Sequence, residues 1–236
     1  MNDEMNEKPP LGLGEVFKTS FNVYKEHFQS FVSLSLIYAL LTLLIRIAIK
    51  KILGEAEAES FRALGIIVML STLVLCRMGC VMIDMASKNY RKEPLDIRKS
   101  FLETKDRYVT YLLVYIGVFF MMAAGLLFFV LPGLYFGAIF FFADTLVILE
   151  KKSFGEAFRR SRELVRKQFG MVFLFFLTII LVSLFPVICL QIVGVQYINL
   201  IKSLSEVFST LFIPFYMIAQ VQLYHGLIEN ESGDFI

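Results

Sequence analysis

The sequence predicts an all-α integral membrane protein in which six transmembrane helices form three repeats, each an amphipathic interfacial helix followed by a transmembrane hairpin. Three observations carry this. Hydrophobic residues make up 57% of the 236-residue chain and charged residues 19%, with a mean hydropathy of +0.69, whereas a soluble domain is about 45–50% apolar and about 25% charged. The apolar residues, 25 Phe among them, gather in six runs near the ~20 residues that a helix needs to cross the hydrocarbon. Lys and Arg concentrate in alternate connections between those runs, the asymmetry that fixes orientation. This composition excludes disorder, a coiled coil and a disulfide scaffold, and a net charge of +2 gives no case for nucleic acid.

Residues 1–10 are acidic, with Asp3, Glu4 and Glu7 against Lys8, and lack the apolar core of a signal peptide. They are expected to be a flexible cytoplasmic terminus. A single membrane domain then spans 11–228, with repeats at about 11–86, 94–149 and 153–228 and a short cytoplasmic tail at 229–236. The six runs are 29–49, 62–86, 108–131, 133–149, 169–193 and 207–228. Pro132 and Gly133 separate the third from the fourth, a rigid φ followed by a permissive one, and predict a tight hairpin turn there. Gly133 and Gly137 have the small-xxx-small spacing of close helix packing.

Seven Lys and Arg lie in residues 87–107 and seven in 150–168, while 132–133 and 194–199 hold none. Positive residues resist translocation, so both termini are expected in the cytoplasm and the protein in the cell membrane. Ahead of the first, third and fifth runs the chain aligns with itself in the register of Ser20, Ser100 and Ser161. Phe17 then matches Ile97 and Phe158, Lys18 matches Arg98 and Arg159, Lys25 matches Lys105 and Arg166, and Phe28 matches Tyr108 and Phe169. Duplication of one helix-plus-hairpin unit explains these matches. In the third copy Phe154, Ala157, Phe158, Leu164, Val165 and Phe169 share one helical face with Ser161, and Arg159, Arg160, Arg162, Arg166 and Lys167 lie opposite. Ser153 and Glu156 have the capping-box spacing that starts this helix. Such helices place their basic sides, here also Arg98, Lys99 and Lys105, among lipid headgroups, anionic ones above all. The same charges also serve topology alone.

Leu131-Pro-Gly-Leu-Tyr, the apolar fourth run, Val147-Ile-Leu-Glu150, Ser153-Phe-Gly-Glu-Ala157-Phe-Arg-Arg-Ser161 and the opening Leu13-Gly14-Glu15 together resemble a family. It is the membrane domain found ahead of the catalytic barrel in some bacterial membrane-bound glycerophosphodiester phosphodiesterases, with its stand-alone six-span relatives. The resemblance implies the architecture and supplies no activity for the membrane part. Eight residues follow Ile228, so no barrel and no phosphodiesterase chemistry are expected in this sequence.

Patterns for metalloprotease, serine hydrolase and nucleotide-binding chemistry are absent, so no catalytic residue, metal or cofactor is expected. His27 and His225 fall at interfaces, and Cys76, Cys80 and Cys189 sit inside apolar runs as small hydrophobes. Ionisable residues within the runs are the better candidates, because burial in hydrocarbon is costly unless they pair or reach water. Arg46 and Asp84 lie near run ends and are expected to snorkel, and Lys202 with Glu206 forms an i, i+4 pair. Arg77 and Asp144 are the deep ones, expected as an intramembrane ion pair or a pathway. Pro186 and Pro214 are candidate kinks. The favoured function is a non-catalytic protein that binds or organises membrane lipids, a partner membrane protein or a second copy of itself; the rival is a small-solute transporter or channel. A polar cavity favours the rival, and a packed Phe-rich centre favours the scaffold.

Overall fold

The computed structural model describes residues 12–54, 60–193 and 198–233, and within them all side chains except those of 186, 187, 189–193, 198–204, 206 and 232. The expected cytoplasmic terminus 1–10, Cys189, Pro186 and the Lys202/Glu206 side chains therefore lie outside the described residues. The described chain is helical with no strand: α1 (Leu13–Glu26), α2 (Phe28–Leu53), α3 (Phe61–Tyr90), α4 (Ile97–Glu103), a 3-10 turn (Lys105–Arg107), α5 (Tyr108–Phe128), α6 (Val130–Ile139), α7 (Ala143–Leu149), α8 (Phe154–Lys167), α9 (Phe169–Val193) and α10 (Ile198–Gly233). Five stretches of the described chain are long and apolar enough to cross a membrane: α2, α3, Lys105–Phe128, Val130–Leu149 and Val207–Glu231. A sixth is counted if α8 and Phe169–Phe185, which meet at 107°, are taken together.

Each of the short helices α1, α4 and α8 precedes a long apolar helix, and the aligned residues Phe28, Tyr108 and Phe169 are the first residues of α2, α5 and α9. The aligned serines Ser20, Ser100 and Ser161 are all fully buried. Local caps set the boundaries. Ser60 Oγ accepts from Ala63 N at the start of α3, and Asp96 Oδ1 accepts from the N–H groups of Arg98 and Lys99 at the start of α4. The Ser153 N–H and hydroxyl donate to the Glu156 carboxylate at 3.0 and 2.6 Å, completing the expected capping box of α8. Gly54, with φ +84°, ends α2 in a conformation that suits glycine.

The hairpin between the third and fourth runs departs from the sequence expectation. The turn is a single extended residue, Phe129, and Pro132 sits in the first turn of α6, where its missing N–H has no helical partner to lose. The two helices touch because both facing positions are glycine: a Cβ on Gly125 would lie 2.7 Å from Gly133 Cα. Gly137 serves another neighbour, since its Cβ would stand 2.5 Å from Phe176 Cζ on α9. The fourth run is also not one helix, being broken at 140–142 into α6 and α7. The sixth run continues past 228, and α10 runs through Pro214 to Gly233, so most of the expected tail is helix.

The core occupies one end of the bundle, here called the base, where α1, α4 and α8 lie. It contains Phe31 and Leu34 of α2, the Cys76–Ala86 half of α3, Tyr111 and Val114 of α5, most of α7, Leu164 and Val165 of α8, and Ile218 to Leu227 of α10. At the opposite end the apolar side chains point outward, as with Phe61 at 94% and Leu127 at 88% exposure. Faces of this kind suit hydrocarbon as solvent.

Candidate functional site

Arg77 and Asp144 do not pair. The Arg77 guanidinium leaves the bundle centre, donating to Thr104 Oγ1 at 3.0 Å and to the Phe101 carbonyl, and lies 3.9 Å from the centroid of the Phe101 ring. Phe101 is in the last turn of α4, whose carbonyls have no helical partner, so Arg77 finds acceptors at that helix end closer than the carboxylate. Asp84, the other candidate partner, pairs with Lys88 at 2.6 Å. Asp84 does not snorkel: Lys88 is itself buried and also reaches Ser100 Oγ at 3.0 Å and Glu103 Oε2 at 2.6 Å. The Lys88 hydrogen bond holds the Glu103 carboxyl below its usual range.

Asp144 sits in α7, directly beyond the break. Its Oδ1 accepts from Thr145 N at 2.7 Å and from Gln220 Nε2 at 3.1 Å, and its Oδ2 from Tyr111 Oη at 3.4 Å. Tyr111 reaches it because residue 79 is glycine; a Cβ there would stand 2.7 Å from the tyrosine oxygen. The break frees carbonyls that an intact helix would have used. Ser161 Oγ donates to the Ile139 carbonyl at 3.0 Å and Gln220 Nε2 to the Phe141 carbonyl at 2.8 Å, so the repeat-register serine and the sixth run's amide together support the broken helix. Gln220 is fully buried, and its Oε1 has no hydrogen-bond partner among the described residues. Beside Asp144 is a cavity of about 230 Å³ lined mainly by aromatic rings, including Tyr115, Phe140, Phe141, Phe176 and Tyr216.

A second cavity, of about 460 Å³, lies between α2, α3 and α10 toward the end away from the base. Its wall carries Tyr38, Thr42, Arg46, Ser71, Thr72 and Ser209. Arg46, expected to snorkel at a helix end, is exposed and lines this space. Arg77 lines neither cavity. Phenylalanines nonetheless pack between the helices nearby: the Phe17 ring stacks on Phe175 at 5.2 Å, and Phe141 meets Phe175 and Phe176 edge-on at 5.7 Å each. The two arrangements weighed in the sequence thus coexist at different depths.

At the base, Arg98, Lys99, Lys105, Arg159, Arg162 and Arg166 are exposed. Lys167 is exposed as well, and with the partly buried Arg160 it joins an ion-pair network within the chain. Arg160 makes a bidentate bond to Glu231 at 3.1 and 2.5 Å, Lys167 lies 3.3 Å from Glu231, and Glu150 joins through Arg160 Nε at 3.6 Å and Tyr224 Oη at 2.8 Å. The network ties α8 to the last turn of α10. Arg107 crosses to the Lys151 carbonyl at 3.1 Å, joining the two basic connections. His225 stacks flat on Tyr90 at 4.1 Å, Tyr90 donates to Glu229, and His27 stands at the junction of α1 and α2. Among the described residues no group of three or more His, Cys, Asp or Glu is placed to hold a metal ion.

Gln220, Tyr111, Tyr216 and the hydroxyls around Arg46 escape a sequence reading built on charged residues, because all of them are neutral. The available signal was Gln220 itself, an amide in the middle of an apolar run. Comparisons with protein families, with curated proteins and with solved structures find no match to this chain.

Proposed function

We propose that this is a non-catalytic multi-pass protein of the cell membrane, both termini cytoplasmic, that binds or organises membrane lipids or partner membrane proteins through its basic interfacial helices. The observation that carries the reading is the two-sidedness of α8. Ala157, Ser161, Leu164 and Val165 are buried against the bundle while Arg159, Arg162 and Arg166 are exposed on the other side. The 107° turn into α9 suits a helix lying along a surface beside one that crosses it. Arg98, Lys99 and Lys105 extend the basic surface at the same end. The threefold repeat belongs to this proposal, supported by the three buried register serines and by the aligned starts of α2, α5 and α9. The resemblance to the membrane domain of the phosphodiesterases is consistent with it and adds no chemistry.

The test is retention of lipid by the purified protein in native mass spectrometry. Each Lys or Arg near an anionic surface contributes about 1 kcal/mol, so Arg159, Arg162 and Arg166 changed together to Gln should shed anionic lipid while zwitterionic lipid is unaffected. Equal retention of anionic lipid by the variant refutes the lipid-binding form of the reading.

The rival, a small-solute transporter or channel, is favoured by two observations, the hydroxyl-lined cavity with Arg46 and the broken helix at Asp144. Arg77 has no part in that version. Solute or ion flux in proteoliposomes that is abolished in Asp144→Asn supports it, and an absence of flux under all gradients counts against it.

A further inference from the structure

We propose that the aromatic cavity beside Asp144 is a binding site for an organic cation, a protonated amine carried on an apolar body. This goes beyond both functional readings, because it concerns binding alone and holds whether or not the ligand crosses the membrane.

The Asp144 carboxylate has no Lys or Arg partner among the described residues: its contacts are Thr145, Gln220 and Tyr111, while Arg77 and Lys88 are engaged elsewhere. A carboxylate inside a membrane bundle without a cation is costly. Donors and acceptors are also out of balance. Asp144 Oδ1 already receives three donors, from Thr145 N, Thr145 Oγ1 and Gln220 Nε2, whereas Oδ2 receives only the Tyr111 hydroxyl at 3.4 Å. Gln220 is fully buried, its amide nitrogen is fixed by two acceptors, the Phe141 carbonyl and Asp144, and its Oε1 is left as an acceptor with no donor among the described residues. Flipping the amide would set oxygen against both acceptors. Asp144 on the cavity wall thus has an under-used acceptor in Oδ2, the Gln220 behind it has no donor to spare, and the site selects a ligand that brings its own N–H.

The shape of the space fits the same ligand. The cavity that Asp144 lines measures about 230 Å³, and Tyr115, Phe119, Phe140, Phe141, Phe176 and Tyr216 supply most of its wall. Such walls are poor ligands for a small hydrated metal ion, which needs several oxygens. They suit an apolar body, and ring faces attract an ammonium group. Phe119 is 58% exposed on the outer side, so the apolar wall continues to the surface of the bundle.

The test uses the full-length protein in detergent or nanodiscs, with phenethylammonium as probe and 2-phenylethanol as its neutral counterpart of the same skeleton. The chain contains no Trp, so Phe119→Trp places a single fluorescent reporter on the cavity wall and leaves Asp144 and Gln220 intact. Ile52→Trp, at the opposite end of the bundle, reports partitioning into the lipid or micelle. The expected result is a saturable change of indole emission from the cavity reporter with the ammonium, at least about tenfold tighter than with the alcohol, and no saturable change from the distal reporter. Asp144→Asn in the Phe119→Trp protein should weaken the ammonium at least tenfold and leave the alcohol unchanged. If Asp144→Asn fails to fold, the contrast between ammonium and alcohol at the cavity reporter decides alone. Equal affinity for the two probes, the same response from the distal reporter, no saturable response, or full ammonium affinity in the Asn variant overturns the proposal. Arg159, Arg162 and Arg166 changed to Gln should not affect this titration, which separates its outcome from that of the lipid-binding reading.

Discussion

Polar residues inside an apolar bundle are placed by the nearest acceptor or donor, and charge complementarity along the sequence is a poor guide to which one that is. Arg77 shows this. It shares a bundle with a carboxylate that has no cation beside it among the described residues, yet its guanidinium goes to the frayed end of α4. Arg77→Ala and Asp144→Ala are therefore expected to be additive in stability, within the ~0.3–0.5 kcal/mol typical of residues that share no partner. The bidentate Arg160/Glu231 pair is instead expected to couple by about 0.5–3 kcal/mol. Two double-mutant cycles in detergent measure both, and a large Arg77/Asp144 coupling would reinstate the ion pair. Glu103 makes a prediction about pH. Lys88 lowers its folded-state pKa below the unfolded value of about 4.3. A depressed carboxylate contributes stability that is complete above the unfolded value and is lost as pH falls through the folded one. Melting temperature should then fall below about pH 4 in the parent, and the gap between parent and Glu103→Gln should narrow there.

At the scale of elements, the fourth run is the instructive one. An uninterrupted helix would have satisfied its own backbone, but the break at 140–142 hands two carbonyls to side chains from other helices. Ser161→Ala removes both the donor to the Ile139 carbonyl and the acceptor for Phe142 N. It should cost about 1–3 kcal/mol, because buried backbone groups are left unpaired; thermal unfolding equal to the parent would show that the break is supported some other way. The α8 helix is held by its apolar face. Phe158 packs at 5.0 Å from both Phe140 and Phe154 and against Gly117, where a Cβ would be 3.0 Å from its ring. Phe158→Glu is expected to destabilise by about 1–3 kcal/mol or more. Ready labelling of a Cys at 158 by a hydrophilic reagent, or unchanged melting of the Glu variant, would show that α8 stands away from the bundle.

The whole molecule has a packed base and a looser opposite end, with the charged networks, the broken helix and the short amphipathic helices all at or near the base. That asymmetry matches the distribution of Lys and Arg between connections. Reporter fusions at Asn89, Lys152 and Gly233 should give cytoplasmic activity, and one at Glu57 the opposite. Export-side activity at Asn89 or Lys152 would invert the proposed orientation.

Membrane character, the helical class and the approximate positions of the long helices were legible in the sequence, because the apolar length needed to span hydrocarbon and the self-satisfied backbone of a helix are local requirements. The capping box at Ser153 and Glu156 was legible for the same reason. The helix starts at Tyr108 and Phe169 coincide with the expected starts of the third and fifth runs, and that at Phe28 lies one residue ahead of the first. Which polar groups meet was not legible. Gln220 meets Phe141 and Asp144 across 76 or more residues, Ser161 meets Ile139 across a broken helix, and Arg160 meets Glu231 beyond the expected end of the sixth run. These contacts depend on how helices rotate and where one of them breaks, and rotation is set by the packing of Gly79, Gly125 and Gly137 against their neighbours. Packing of that kind is a property of the assembled bundle, so only the tertiary structure decided that Asp144 faces an aromatic cavity and Arg77 does not.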